Sequence, residues 1–143
     1  MEGEGWFAAP NYEKVAVVNS FGHIDLRVRE LEKVYPFYAT LLPELGFTKE
    51  WRGEGAFSFL TEGALPEAVW FGVLEDPKHV ANATRIAFAV KSGEEVDRLA
   101  EVIRSAGGVN VDGPVDMEYS RIYRAVYFED PSGNRLEIYY AEE

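Results

Sequence analysis

The feature that most constrains the fold is an internal repeat. His23-Ile-Asp-Leu-Arg-Val28 can be laid on Arg85-Ile-Ala-Phe-Ala-Val90, 62 residues further on (85 − 23), and the elements that follow come in matching order. Each copy opens with period-2 alternation, the signature of a half-buried strand. Ile24, Leu26 and Val28 oppose His23, Asp25 and Arg27, while Ile86, Phe88 and Val90 oppose Arg85, Ala87 and Ala89. Next, Leu31, Val34, Tyr35, Tyr38, Leu41, Leu42 and Leu45 recur at steps of three and four, which predicts an amphipathic helix ending near Gly46. Pro36 is tolerated there only near the helix start. In the second copy, Ser92-Gly-Glu-Glu95 reads as a capping box. It opens a helix carrying Val96, Leu99, Ala100 and Ile103 that stops at Gly107-Gly108.

Apolar runs at Ala56–Leu60 and Ala68–Leu74 predict strands, as do Tyr123–Glu129 and Arg135–Tyr140 around the turn Asp130-Pro-Ser-Gly-Asn134. The expectation is an α+β fold: two tandem β-α-β-β-β modules, about 21–75 and about 84–141, forming a curled, open-barrel-like mixed sheet with helices outside, within one domain over 21–143. Residues 1–20 form an N-terminal arm or an extra strand around Val15–Val18. Trp6 and Phe7 in that arm are a hydrophobic latch or a partner contact.

Composition then excludes several function classes. The net charge of −11, from 14 Lys+Arg against 25 Asp+Glu, opposes nonspecific attachment to nucleic acid or anionic lipid. With no cysteine, thiol nucleophiles, disulfides and Cys-based metal sites are out, so any metal must be held by His, Asp, Glu or Tyr. No apolar run reaches the roughly 20 residues of a membrane-spanning helix, and Glu2 and Glu4 oppose a secretory signal, so a cytoplasmic location is expected. There is no phosphate-binding glycine loop and no Gly-x-Ser-x-Gly elbow.

Gly22-His-Ile-Asp-Leu26, Pro36-Phe-Tyr38 with Leu45-Gly-Phe47, and Phe128-Glu-Asp-Pro-Ser-Gly-Asn-Arg-Leu-Glu137 together resemble the vicinal oxygen chelate superfamily. That superfamily includes glyoxalase I, extradiol dioxygenases, fosfomycin-resistance transferases and bleomycin-resistance proteins, and the resemblance covers about residues 21 to 141. It implies an open barrel whose inward residues can hold a divalent metal (Zn, Ni, Mn or Fe), with His23 and Glu137 matching the first-module histidine and the C-terminal glutamate. Parity agrees that both can face one cavity, since Glu137 and Tyr139 oppose Leu136 and Ile138.

The departure is Arg85, which stands where many members have a second histidine and cannot donate a lone pair to a metal. Three readings of it stay open: a salt bridge to Glu137, a guanidinium that replaces the metal by gripping a ligand oxygen, or a register that turns Arg85 outward. At the end of the first module, Trp70 or Phe71 occupies the position where a glyoxalase-like enzyme often carries a further ligand. His79, on a polar loop, is an exposed titratable residue or a substitute ligand. Asp25, Arg27, Tyr127 and Tyr139 share the inward parity, with Phe57, Phe59 and Trp70 as apolar walls. Tyr119 and Tyr123, flanking Arg121, form a lid or a solvated loop.

Two ligand-binding classes follow, beside a blander reading as a structural or regulatory partner domain whose cavity is plugged by Trp70 with an Arg85–Glu137 pair. In the first, a small oxygen-rich or anionic metabolite is bound near His23, Arg85 and Glu137, with lyase, isomerase or dioxygenase chemistry; Glu137 and Arg85 are the catalytic candidates and Arg85, Tyr139, Tyr127, Trp70 and Phe57 contact the substrate. In the second, the protein is a metal-free sequestering module. The resemblance implies a homodimer in either case.

Overall fold

The alternating segments become strands whose apolar side is covered by the two predicted helices. A computed structural model describes residues 16–143. In chain order the elements are β1 (His23–Val28), α1 (Leu31–Glu44), β2 (Phe47–Gly53), β3 (Ala56–Thr61), β4 (Trp70–Glu75), β5 (Arg85–Ala89), α2 (Gly93–Ala106), β6 (Val109–Asp116), β7 (Ile122–Glu129) and β8 (Arg135–Glu142). The repeat is therefore real. Each half is β-α-β-β-β, and each builds its own four-stranded sheet, in the orders β1-β4-β3-β2 and β5-β8-β7-β6. Within each sheet the first strand runs parallel to the last, because a helix carries the chain back across the sheet, and the remaining pairs are antiparallel.

Local signals explain the helix ends. The Ser92 side chain accepts a hydrogen bond from the Glu95 backbone N–H at 3.2 Å, capping α2. Gly107 closes that helix at φ 100°, a left-handed conformation that costs a residue with a Cβ about 1 kcal/mol or more. Helix α1 contains Pro43 as well as Pro36. Both are accommodated without ending the helix, which runs on to Glu44.

One core joins the halves. Val34, Phe37, Tyr38, Leu41 and Leu42 of α1 and Val96, Leu99, Ala100 and Ile103 of α2 bury against Phe57, Phe71, Val73, Val126, Leu136 and Ile138 of the sheets. The helices lie against each other, and the Phe37 and Phe128 rings meet at 6.2 Å across the module boundary. Burying each such side chain contributes about 1.5–3 kcal/mol. A polar joint supplements it. Asp130, fully buried, accepts the Ser132 and Asn134 backbone N–H groups on Oδ1, and the Tyr38 hydroxyl (2.6 Å) and Asn134 Nδ2 (2.9 Å) on Oδ2.

The predicted turn forms with Gly133 at positive φ. Residues 16–22 contain no regular strand, and Trp6, Phe7 and Val15 lie outside the described residues. No helix among the described residues is long and apolar enough to cross a membrane.

Candidate functional site

With the helices on one side, the opposite face of each sheet is left uncovered. Cross-strand register states which residues line it. In the first sheet, His23 lies beside Trp70, Asp25 beside Gly72, Ser58 across from Gly72, Leu60 across from Trp70, and Trp51 across from Ser58. In the second, Arg85 lies beside Arg135, Ala87 beside Glu137, and Tyr127 across from Glu137.

On the first sheet the site is aromatic. The His23 ring stacks flat on Trp70, centroids 4.2 Å apart and planes at 3°, while His23 Nε2 points to Asp25 Oδ2 at 3.3 Å. Trp51, half exposed, reaches back over Gly53: a Cβ added at Gly53 would stand 2.5 Å from the indole, so only glycine lets that ring lie where it does. Trp51, Ser58, Leu60, Leu65 and Trp70 enclose an open pocket of about 320 Å³. Its walls are apolar and its single hydroxyl is that of Ser58, which suits a small ligand with a flat apolar part.

The second sheet carries the polar end. Glu137 is only 6% exposed and accepts a 2.6 Å hydrogen bond from the Tyr123 hydroxyl. Tyr123 stacks on Tyr139 with centroids 5.0 Å apart, and Tyr119 meets Tyr123 edge-on at 4.9 Å. Burial, then the bond to Glu137, raises the Tyr123 phenol. Burial, then the Glu137 charge, pushes Tyr127 up to about 12. Both hydroxyls therefore stay protonated at neutral pH, and that of Tyr123 is the donor to Glu137. The Arg85 guanidinium sits 5.0 Å from the centre of the Tyr127 ring.

Several sequence expectations change. Among the described residues Arg85 forms no ion pair with Glu137: Tyr123 satisfies that carboxylate, and Arg85 lies over Tyr127 instead. Phe57 and Phe59 do not line the open face. They are buried under α1, where Phe57 meets Tyr35 edge-on at 5.1 Å, and the residues alternating with them, Ser58 and Leu60, face outward. Of the two β4 candidates, Trp70 is on the open face and Phe71 is in the core. His79 is half-buried and bonded through Nε2 to Asn134 Oδ1 at 2.9 Å, so it is not a free group on an exposed loop. Tyr119 is exposed, and Arg121 pairs with Glu142 rather than joining a lid.

Sequence reasoning missed Trp51 and took Tyr123 for a lid or loop residue rather than the hydrogen-bond partner of Glu137. Trp51 sits on a strand without alternation, but Tyr123 and Glu137 were already on antiparallel neighbours joined by the recognised turn. Tyr123 pairs with Ala141 and Glu137 with Tyr127, so the contact spans an offset of four residues that the long phenol side chain bridges, and short-range pairing alone does not predict it.

The donor set does not fit a resident divalent metal. The position that would supply a third ligand beside His23 and Glu137 is a guanidinium, which has no lone pair to give, and among the described residues no three His, Cys, Asp or Glu side chains group to hold a cation.

Paired β-α-β-β-β modules, each with an uncovered sheet face holding aromatic and polar side chains, define a class of open-sheet proteins that hosts many chemistries. The sequence pattern of the Glyoxalase/Bleomycin resistance protein/Dioxygenase superfamily matches residues 20–138, and the chain belongs to that superfamily. No curated protein sequence matches it. Among solved structures it is similar to a glyoxalase/bleomycin resistance protein from Albidiferax ferrireducens, at 22% identity and TM-score 0.70, covering 87% of this chain and 100% of that one. It is also similar to the fosfomycin resistance protein FosX of Mesorhizobium loti, at 18% identity and TM-score 0.64, covering 88% and 95%. A third is a FosX mutant from Listeria monocytogenes complexed with Mn(II) and a dihydroxypropylphosphonic acid, at 23% identity and TM-score 0.60, covering 85% and 90%. At these identities the likeness carries the fold.

Proposed function

We propose that the protein is a metal-free small-molecule binding module that sequesters an oxygen-rich or anionic ligand with a planar apolar part. The observation that carries this reading is the state of His23. Its ring is spent on Trp70 and its Nε2 on Asp25, which turns a ligand position of the family into part of an aromatic platform beside the 320 Å³ pocket. Trp70 and Trp51 supply the stacking surface, and Arg85, Tyr127 and Tyr139 the polar contacts. A homodimer and a cytoplasmic location belong to the same reading. The uncovered face exposes Trp51 and Leu65, which a second copy would shield, and sedimentation analysis measures that.

A second reading has one observation in its favour. Glu137 is a buried carboxylate held in place by a 2.6 Å hydrogen bond from the Tyr123 hydroxyl, and a carboxylate so oriented beside an open sheet face could take a proton from a bound substrate, as an isomerase or lyase would need.

The test is a tryptophan-fluorescence titration with 2-naphthoate, with and without EDTA, followed by chromatography of the recovered ligand. Binding that EDTA leaves unchanged, that Trp70→Ala weakens at least tenfold, and that returns the ligand intact supports sequestration. Chemical change of the ligand supports the second reading. Absence of binding, or binding only with added Mn, Ni or Zn, overturns the proposal.

A further inference from the structure

The arginines divide into two groups. Arg52, Arg98, Arg104, Arg121 and Arg124 each have a carboxylate at 2.6–3.3 Å. Arg27, Arg29, Arg85 and Arg135 have none within 4 Å among the described residues, although acids outnumber bases 25 to 14; Arg29 donates to the His79 backbone carbonyl and Arg85 lies over the Tyr127 ring, which leaves Arg27 and Arg135 with neither kind of contact. Glu129, the cross-strand neighbour of Arg135, takes a hydrogen bond from Asn110 instead. Two unpaired guanidiniums in an acidic protein repel each other unless something anionic joins them.

They line the same slot. A cleft of about 220 Å³ lies where β1 meets the loop between β4 and β5 and the start of β8, with Arg27 on one wall and Arg135 on another. Its remaining polar groups are fixed in orientation. Asn134 Nδ2 donates to the Arg27 backbone carbonyl and to Asp130 Oδ2, each at 2.9 Å, so its Oδ1 is the acceptor and His79 Nε2 carries the proton between them. Asn82 Oδ1 accepts the Thr84 backbone N–H at 2.8 Å, which leaves the Asn82 amide hydrogens and the Thr84 hydroxyl for a ligand. Asp25 is the one carboxylate lining the slot, and its Oδ2 is turned to His23.

We propose that this slot binds a tetrahedral oxyanion of the phosphate class, bridging the two modules through Arg27 and Arg135. A carboxylate presents two coplanar oxygens and saturates one guanidinium fork. Two forks approaching from different strands, with an amide and a hydroxyl besides, call for the three or four oxygens of a phosphate or phosphate monoester. The site is separate from the aromatic pocket and does not depend on the function proposed for it. Because the slot exists only when both halves are folded, its occupation stabilises the folded chain by RT ln(1 + c/Kd), where c is the free ligand concentration.

The experiment is calorimetric titration and thermal unfolding with inorganic phosphate and with glycerol 1-phosphate, at ionic strength held constant with chloride. Saturable binding is expected. Arg27→Gln or Arg135→Gln should weaken it at least tenfold, Arg135→Lys should weaken it while keeping the charge, and Arg121→Gln should leave it unchanged. Tighter binding of the monoester assigns the natural ligand to phosphorylated small molecules; equal or weaker binding assigns it to free phosphate. Circular dichroism of each variant without phosphate checks that it folds, and 2-naphthoate binding, read in parallel, should be unaffected by Arg135→Gln. No saturable binding to the native protein, or identical binding by the folded Gln variants, overturns the proposal.

Discussion

Replacing Tyr38 by Phe isolates the polar joint between the modules, because the ring is retained and only the hydroxyl leaves. Tyr38 is fully buried, with its ring 5.6 Å from that of Phe71, so packing is preserved. What is lost is a 2.6 Å hydrogen bond to the buried carboxylate of Asp130, a bond to a charged group that contributes about 1.5–3 kcal/mol. At pH 7 the variant should therefore be less stable by about 2 kcal/mol. The same bond has a pH signature. Burial first, and the Asp130 charge second, raise the Tyr38 phenol well above its ordinary value. An unfolded tyrosine releases its proton near pH 10, so between there and the folded value the unfolded state holds fewer protons and stability falls as pH rises. The contribution is complete below pH 10, and by pH 11 the native protein loses about 1.4 kcal/mol that Tyr38→Phe does not lose. Urea unfolding at pH 7, 9 and 11 reads both effects. The gap between the two proteins should narrow from about 2 kcal/mol to below about 1 kcal/mol. A gap that stays constant from pH 7 to 11 would refute the assignment of Tyr38 as a buried, protonated donor to an ionised Asp130.

Two further substitutions probe the open face. Gly53→Ala places a methyl group where the Trp51 indole lies, and the ring, being the flexible partner, should swing away; tryptophan emission and 2-naphthoate affinity should both change, with unfolding midpoints nearly unmoved. Tyr123→Phe removes the donor on Glu137 and should cost about 1 kcal/mol in urea unfolding. It should also take one late-titrating phenol out of the alkaline absorbance curve, leaving Tyr127 near 12.

The parts of the fold that could be read from sequence are those where one face is buried. Strands β1 and β5 alternate because the helices cover one side only, and α2 announces itself through Ser92 and Gly107. Strands β2 and β6 were implied by the module but not located. Both are sheet edges, β2 is exposed along most of its length, and the β6 register is broken at Val109/Asp112 and Asp112/Val115, so neither shows a period of two.

The site was legible to a lesser degree, for the same reason. Parity placed His23, Arg85, Glu137, Tyr127 and Tyr139 on the uncovered faces, because parity depends only on the strand. It could not say which partner each would choose. Arg85 has a carboxylate, Glu137, on the adjacent strand, yet the structure sets it over an aromatic ring and gives Glu137 to Tyr123. A phenol reaches a buried carboxylate without bringing a second charge out of water, whereas an Arg–Glu pair at the same depth would have to desolvate both ions. Phe57 takes the other course open to such aromatics, core rather than pocket: the aromatic parity of β3 points toward Tyr35 and Tyr38. Aromatic residues that alternate with Ser58 in a strand beside an apolar helix gain more area by burial in the core than by lining an open cleft.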